Sequence, residues 1–339
     1  MTTRRALLHV TNGESAGGSL RETRLDGTVL PWLDALHEGP VPAVARDDLI
    51  QVRAGFLADC GWGDRREIAS SLDARDLELL AAYAGGFQVV LWFEHDLFDQ
   101  LQLLDVLALA LDADAAPPDL IVIGSFDGKP SFGGLGELTP AELETLWPSR
   151  KAAEPATIRA GGEAWAALRA PEPTSLAGWA TRDFPQLPFL SPALRRWLEE
   201  LPAPADGLSG TERRLLQALA AGVTTPPVAF LAVQRLEKAP FLGDSWFYRA
   251  LSDLGQGARR LIETDDGGPI PFAPPRSDGR RFARLGLRLT ARGEAVLGGE
   301  ADRVELLGID RWIGGTHVTP ENAWRWDPAA RRLLRPHAA

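Results

Sequence analysis

Apolar residues in the first third of the chain form short unbroken runs that alternate with helical stretches. The runs Ala6–Val10, Thr28–Leu30, Gln88–Phe93 and Leu120–Ile123 predict four buried strands. Continuous apolar strands spaced by helices are typical of a parallel sheet that is covered on both faces. We therefore expect this part to be an α/β, Rossmann-like parallel sheet domain.

The second half shows a different pattern, in which capped helices precede two strands. Capping boxes at Thr139–Glu142 and Ser209–Glu212 predict helix starts, and the proline-rich stretch Leu201–Gly207 predicts a linker. The elements expected after the second box are a helix to about Ala221, helices over Val228–Lys238 and Asp244–Leu254, strands over Leu261–Glu263 and Phe282–Leu289, and a closing helix over Thr290–Leu297. This order is winged-helix-like.

These patterns divide the 339 residues into four regions. We expect the Rossmann-like domain with its candidate site in 1–138, a helical segment and linker in 139–206, and the winged-helix-like domain in 207–300. A tail occupies 301–339, and folding back on the first domain is one arrangement for it.

The composition, 45% hydrophobic and 24% charged, is that of a folded globular protein. The formal net charge of -10 argues against the whole chain being a polyanion binder, although residues 201–339 hold 19 basic and 16 acidic residues. Cys60 is the one cysteine, so no intramolecular disulfide forms, and Met1–Ala6 does not read as the start of a secretory signal. We expect a cytoplasmic protein without a membrane span, since polar residues interrupt the apolar run Leu97–Leu111.

Polar side chains cluster where three of the predicted strands end. Because ligands of open parallel sheets bind outside the carboxyl ends of the strands, we expect these side chains to share one crevice. They are Asn12, Glu14 and Ser15 after the first strand, Asp34, His37 and Glu38 after the second, and Glu94, His95, Asp96 and Asp99 after the third.

A histidine beside carboxylates suits general acid–base catalysis or a divalent metal site. We expect His95 or His37 to be the acid or base, with Asp34, Glu94 and Asp96 orienting it or holding a metal. Asn12, Glu14, Ser15 and Asp99 would then contact a small-molecule substrate. Plainer interpretations stay open: Asp96 would cap the helix that begins near Leu97, and Glu94 and His95 would be exposed loop residues.

Known cofactor motifs are not found in the sequence. The turn after the first strand reads neither as GxGxxG nor as a P-loop, so a dinucleotide is not expected, and there is no His-Glu-x-x-His or cysteine pair. A divalent metal of unknown identity stays open as a cofactor. Gly13-Glu14-Ser15 also resembles the nucleophile block of the SGNH hydrolases, with Glu14 in place of their Asp, but their late Asp-x-x-His block has no convincing match.

Two C-terminal segments carry further candidate chemistry. In a winged helix, Asp244–Leu254 would read DNA and a wing would supply Arg276, Arg280, Arg281 and Arg284, which makes nucleic acid a candidate partner. The three aromatic residues Trp246, Phe247 and Tyr248 favour a packing face instead. Farther on, Arg311 and His317 would bind an anionic substrate if the tail covers the N-terminal crevice, and otherwise belong to an edge strand with packed tryptophans.

Three blocks of the first third resemble a known bacterial family. They are His9-Val10-Thr11-Asn12-Gly13-Glu14-Ser15, Trp32-Leu33-Asp34-Ala35-Leu36-His37-Glu38-Gly39-Pro40-Val41 and Leu91-Trp92-Phe93-Glu94-His95-Asp96-Leu97-Phe98-Asp99-Gln100-Leu101. They are similar to the signature blocks of the family catalogued as domain of unknown function eighteen-thirty-five, in which Asp is expected more often than Glu at position 14. The C-terminal part resembles that of the longer members. The resemblance implies no activity.

The sequence therefore favours a hydrolase or transferase acting on a small phosphorylated or nucleotide-like substrate at the strand ends. The alternative is a ligand-sensing transcriptional regulator that binds DNA through its winged-helix-like domain, and an interaction scaffold is a third class. Substrate, reaction, metal and oligomeric state are not determined by the sequence.

Overall fold

The computed structural model describes residues 5–272 and 279–335. Its centre is a five-stranded sheet in the order β2-β1-β3-β4-β5. The strands are β1 (Leu7–Thr11), β2 (Thr28–Pro31), β3 (Gln88–Glu94), β4 (Asp119–Ile123) and β5 (Lys151–Ala152). The first four are parallel, as predicted, whereas β5 is antiparallel to β4, so the sheet is mixed and the fold is α/β.

Eight helices connect and cover these strands. They are α1 (Glu14–Arg21), α2 (Arg46–Asp59), α3 (Arg65–Ala84), α4 (Leu97–Asp112), α5 (Pro140–Leu146), α6 (Pro155–Leu168), α7 (Thr174–Trp179) and α8 (Leu190–Leu198). The predicted capping box at Thr139 and Glu142 is confirmed at the start of α5. The chain leaves β1 toward β2 on one side and returns to β3 on the other. The order of the strands therefore reverses between β1 and β3, the position at which open α/β sheets have their ligand-binding crevice.

The helix α4 is almost entirely buried, because it lies between the sheet and the helices α6 and α8. The four polar residues that interrupt its apolar sequence, Asp99, Gln100, Gln102 and Asp105, are each at most 1% exposed. All four use their side chains to hold the loops around the sheet, as described below. No helix of the described residues is long and apolar enough to cross a bilayer.

A second, C-terminal unit begins at the confirmed capping box of Ser209 and Glu212. It comprises α9 (Gly210–Ala220), α10 (Pro226–Leu236), α11 (Asp244–Leu254), β6 (Ile262–Thr264), α12 (Gly279–Ala283), β7 (Leu287–Leu289) and α13 (Ala291–Leu297). The strands β6 and β7 pair antiparallel. The predicted strand Phe282–Leu289 is wrong in its first half, where α12 lies. The strand β7 begins only at Leu287, after Gly286, which lies so close to Asp265 that a side chain at position 286 would clash with it.

The last described elements are α14 (Arg303–Leu307) and two hairpins, β8 (Arg311–Ile313) with β9 (Thr316–Val318) and β10 (Arg325–Asp327) with β11 (Arg332–Leu334). The hairpins do not form a separate core. Trp324 and Trp326 are buried in the hydrophobic core that also contains β1, β3 and α4, and the amide of Val41 donates to the carbonyl of Gly314 (2.8 Å). The tail thus packs against the sheet-containing unit.

A glycine of α6 sets the close approach of α6 to α4. A Cβ at Gly161 would lie 2.7 Å from Leu107 Cβ of α4, whereas a Cβ at Gly18 of α1 would meet nothing within 4 Å. We expect Gly161→Ala to lower the free energy of unfolding by about 1–3 kcal/mol through overpacking. Gly18→Ala should instead stabilise the protein by up to about 1 kcal/mol, because glycine is unfavourable inside a helix. Urea unfolding of both variants checks the contrast, and equal effects would contradict it.

Candidate functional site

Residues from two strand ends meet at the crevice between β1 and β3. The side-chain amide of Asn12, which follows β1, donates to Asp99 Oδ2 in the first turn of α4 (2.7 Å) and more weakly to Glu94 Oε1 at the end of β3 (3.4 Å). The backbone amide of Glu94 donates to Asp99 Oδ1 (2.8 Å). The convergence expected from the parallel topology is therefore present for these three residues.

Three carboxylates form the centre of this site, which we call the acid cluster: Glu94, Asp96 and Asp99. One oxygen from each lies within 4.8 Å of the others, and the three residues are only 3%, 7% and 0% exposed. Asp96 also caps α4, with Oδ1 accepting from the backbone amide of Asp99 (3.1 Å). Its plain capping role and its place in the cluster are thus compatible.

The acid cluster differs from every other buried acid of the described residues in its charge balance. The others pair with arginine: Asp34 with Arg53, Asp76 and Asp105 with Arg46, Glu200 with Arg196, Asp206 with Arg213, and Glu212 with Arg303. No described lysine or arginine forms an ion pair with Glu94, Asp96 or Asp99. A buried charge without a partner is strongly unfavourable, so this cluster requires protons or a bound cation.

The electrostatics of the cluster follow from this lack of counter-charge. Burial, with the nearby Asp96 carboxylate, raises the pKa of Glu94 to about 8, and burial raises the pKa of Asp96 to about 7. The pKa of Asp99 is also raised by burial and by the negative charges of Asp96 and Glu94. Near neutral pH the site therefore retains protons that a cation would displace.

A glycine-rich loop after β4 closes over the cluster. The backbone amide of Leu135 donates to Glu94 Oε1 (2.5 Å), and Ser15 Oγ donates to the carbonyl of Gly136 (3.3 Å). A side chain at Gly134, whose φ is 134°, would clash with the Glu94 carboxylate. Sequence reasoning missed this loop; the available signal was Gly133-Gly134-Leu135-Gly136 following a fourth parallel strand.

The donor set fits a hard divalent cation. The cluster offers carboxylate oxygens only, which Mg²⁺, Mn²⁺ and Ca²⁺ prefer. Nearby, Gln100 donates through Nε2 to the carbonyl of Glu94 (2.6 Å), while its buried Oε1 has no hydrogen-bond partner. Asn12 as placed directs its NH₂ group toward the acids, so it orients carboxylates and does not act as a ligand.

Of the two candidate histidines, His95 lies beside the cluster in the chain but is not hydrogen-bonded to it. Its ring is half-buried between Phe132 and Phe189, with centroid distances of 6.4 and 5.8 Å, and its Nδ1 has no partner. Burial lowers its pKa. The expectation that a carboxylate orients His95 is not met by this geometry.

Asp34 and His37 lie in a different environment from the acid cluster. The Asp34 carboxylate forms a buried ion pair with Arg53 (2.6 Å), so it orients neither histidine. The His37 ring lies among Phe98, Phe241 and Trp246, both of its nitrogens are without partners, and burial together with the charge of Arg53 lowers its pKa to about 3. Neither residue joins the acid cluster: the Asp34 carboxylate is neutralised by Arg53, and the His37 ring is uncharged in an apolar surround.

Three more candidate residues are also separate from the cluster. Glu14 is exposed and pairs with Arg21 (2.8 Å). Arg311 pairs with Glu200 (2.8 Å) and lies near Glu38 (3.7 Å) in a cavity of about 160 Å³ between the two units. His317 is at the surface, stacked on Trp312 with a centroid distance of 4.4 Å and bonded to Asp310. Neither Arg311 nor His317 contacts the strand-end crevice.

The predicted DNA-reading helix α11 packs against the sheet-containing unit. Trp246 is 7% exposed and stacks on Phe56 of α2 (5.8 Å), and the one basic residue of the helix, Arg249, donates to Cys60 Sγ (2.8 Å). The packing interpretation of its aromatic residues is therefore the one observed. Of the expected wing arginines, Arg280 and Arg281 lie in α12, Arg284 directly follows it, and Arg276 lies outside the described residues.

Comparison with the models of known protein families and with curated proteins gives no match for this chain.

We expect the buried Arg53–Asp34 ion pair to contribute to the free energy of unfolding. Arg53, 1% exposed, also donates to the carbonyls of Ala35, Glu38 and Pro40 and so holds the loop after β2. We expect Arg53→Met to destabilise the protein by about 3–5 kcal/mol, because Asp34 becomes a buried unpaired charge. In the exposed pair of Arg21 and Glu14, Arg21→Met should cost at most about 1 kcal/mol. Urea unfolding distinguishes them; a loss below about 1 kcal/mol for Arg53→Met would mean that Asp34 is not held by this pair.

Proposed function

We propose that this chain is an enzyme, a hydrolase or transferase, that acts on a small phosphorylated or nucleotide-like substrate at the carboxyl ends of β1 and β3. The observation that carries the proposal is the acid cluster of Glu94, Asp96 and Asp99, which is buried at the reversal point of the sheet and has no arginine or lysine partner among the described residues. Groups with strongly perturbed pKa values in a crevice of this kind are typical of functional sites.

In this proposal the acid cluster holds a divalent cation. A cation bound there would polarise a phosphoryl oxygen or lower the pKa of a water molecule. The protein's own groups prepare the site: Asn12 and the backbone amides of Glu94 and Leu135 fix the carboxylates, and the start of α4 anchors Asp96. Without a cation, the raised pKa values would leave a carboxylic acid available as a proton donor near neutral pH, which is the metal-free form of the same proposal.

The resemblance to domain of unknown function eighteen-thirty-five supports the location of the site but no activity. Asn12 lies in the first of the similar blocks, and the whole acid cluster lies in the third. We also propose that the sheet is Rossmann-like and that the chain is a member of this family.

The alternative, a ligand-sensing DNA-binding regulator, has less support. Three helices followed by an antiparallel strand pair do occur in the order of a winged helix. The face of α11 that would enter a groove is occupied, however, because Trp246 packs on Phe56 and Arg249 contacts Cys60. Duplex DNA binding by the full chain that weakens steeply with salt would favour this alternative again.

The cation proposal predicts a pH dependence with a defined sign. Since the pKa values of Glu94 and Asp96 are raised to about 8 and about 7, folding favours their protonated forms, and these groups weaken the folded state as pH rises from near 4 through these values. A cation must displace those protons. We therefore expect Mn²⁺ or Mg²⁺ to bind at least about tenfold more tightly at about pH 9 than at about pH 6, and to raise the thermal midpoint more at the higher pH.

Two variants test whether the cation in this titration binds the acid cluster or another carboxylate nearby. Glu94→Gln keeps an acceptor for the Leu135 amide but removes one charge, so it should weaken cation binding at least about tenfold and raise the cation-free thermal midpoint at about pH 9. Glu14→Gln, an exposed carboxylate of the same strand-end region, should leave both unchanged. Calorimetric titration checks this. Equal binding by wild type and Glu94→Gln would refute the cation site, and no binding at any pH would leave only the metal-free form.

A further inference from the structure

A cleft of about 350 Å³ opens next to the acid cluster, where the two units and the tail come together. His95 and Leu97, at the start of α4, form one end. The helix α8, the end of α10 and the hairpin β10–β11 form the other sides. The cleft is within the size range of pockets that bind small molecules.

The lining of this cleft is basic, in a protein whose net charge is -10. It contains five cationic side chains, Arg195, Arg196, Arg214, Lys238 and Arg331, against two acids, Glu199 and Glu237. Arg196 and Arg214 are neutralised by those two acids, with closest distances of 2.7 and 3.0 Å. The positive charge that is left over comes from the other three.

These three cations have no anionic partner in the described residues. Arg195 donates only to the carbonyl of Ala180 (2.8 Å), and neither Lys238 nor Arg331 forms a hydrogen bond or ion pair with any described residue. Lys238 follows α10, and Arg331 lies in the turn of the β10–β11 hairpin, so two separate segments direct free charge to one cleft. Arg331 has a φ of 50°, a conformation that glycine or asparagine adopts more readily.

His95 connects this cleft to the acid cluster. It lines the cleft, and it stands between Glu94 and Asp96 in the chain, with a buried Nδ1 that has no partner. A ligand whose anionic group lies among Lys238, Arg331 and Arg195 would therefore extend past His95 toward the carboxylates.

We propose that this cleft is an anion subsite that binds the phosphate group of a small phosphorylated compound through Lys238, Arg331 and Arg195. The inference rests on the proposed function for its meaning, since it assigns the phosphate end of the substrate to the cleft and the reacting end to the acid cluster. Charge-assisted hydrogen bonds to phosphate are the strong class of such contacts, and arginine suits phosphate geometry.

The test measures the binding of inorganic pyrophosphate to the full chain by calorimetry, without divalent cations, so that the acid cluster takes no part. The variant Lys238→Ala, Arg331→Ala should bind at least about tenfold more weakly, because it removes two charge-assisted contacts to the phosphate oxygens. The matched control, Lys151→Ala, Arg159→Ala, removes the same charge from two exposed positions outside the cleft, whose side chains have no partner among the described residues. It should bind within about twofold of wild type.

The outcomes separate the subsite from the proposed function. Equal weakening in both double variants would show a general charge effect and overturn the subsite, as would no binding by wild type or competition by sulfate as strong as that by phosphate. If pyrophosphate binding depends on Lys238 and Arg331 while no cation binds, the subsite stands without the cation site. If the subsite fails while the cation titration succeeds, the proposed function stands without it. Unchanged thermal midpoints of both double variants show that they are folded.

Discussion

The free-energy cost of burying charged and polar side chains constrains how the protein packs around α4. This helix is enclosed by the sheet, α6 and α8, yet it carries four polar side chains that must be satisfied. Asp105 accepts from Trp32 Nε1 (3.0 Å) and pairs with Arg46, and Gln102 donates to the carbonyl of Asp34 (3.0 Å). Gln100 and Asp99 bind the backbone at the end of β3. The same helix therefore fixes the loop after β2 and the end of β3, which together position the crevice.

Two aspartates of α4 show that burial alone does not determine the chemistry of an acid. Asp99 and Asp105 are equally buried, at 0% and 1% exposure. The charges and hydrogen bonds of Arg46, with the charge of Arg75, outweigh burial and lower the pKa of Asp105, whereas the carboxylates beside Asp99 add to the effect of burial and raise its pKa. Asp105 belongs to a structural ion pair. Asp99 retains a capacity for a proton or cation, which is why we place function at the start of α4 and stability in its middle.

The sequence is sufficient to predict the parallel strands and the meeting of Asn12 with the residues after β3, because parallel topology brings strand ends to one edge. It is not sufficient to separate Asp34 from Asp99. The two look alike in the sequence, and the difference is Arg53, which lies 19 residues after Asp34 on a helix whose sequence gives no sign of the pair. The loop Gly133–Gly136 and the basic cleft depend on which segments pack together, and local patterns carry no such information. The local pattern likewise does not indicate that Phe282 lies on the short helix α12 and not on a strand.

The cleft offers a physical reason for the position of the C-terminal unit against the sheet-containing unit. The carboxylates of the acid cluster belong to the sheet-containing unit, whereas Lys238 follows α10 and Arg331 belongs to the tail hairpin. In the proposed arrangement a phosphorylated ligand would bring negative charge close to three carboxylates, and the cations that line the cleft would offset that repulsion. The sheet-containing unit supplies the carboxylates and Arg195 but neither Lys238 nor Arg331. The packing of Trp246 on Phe56 and of Trp326 in the core of the sheet holds the two parts in contact. In the proposed arrangement the C-terminal half would contribute positive charge to a shared site, while its aromatic helix α11 packs against the sheet-containing unit.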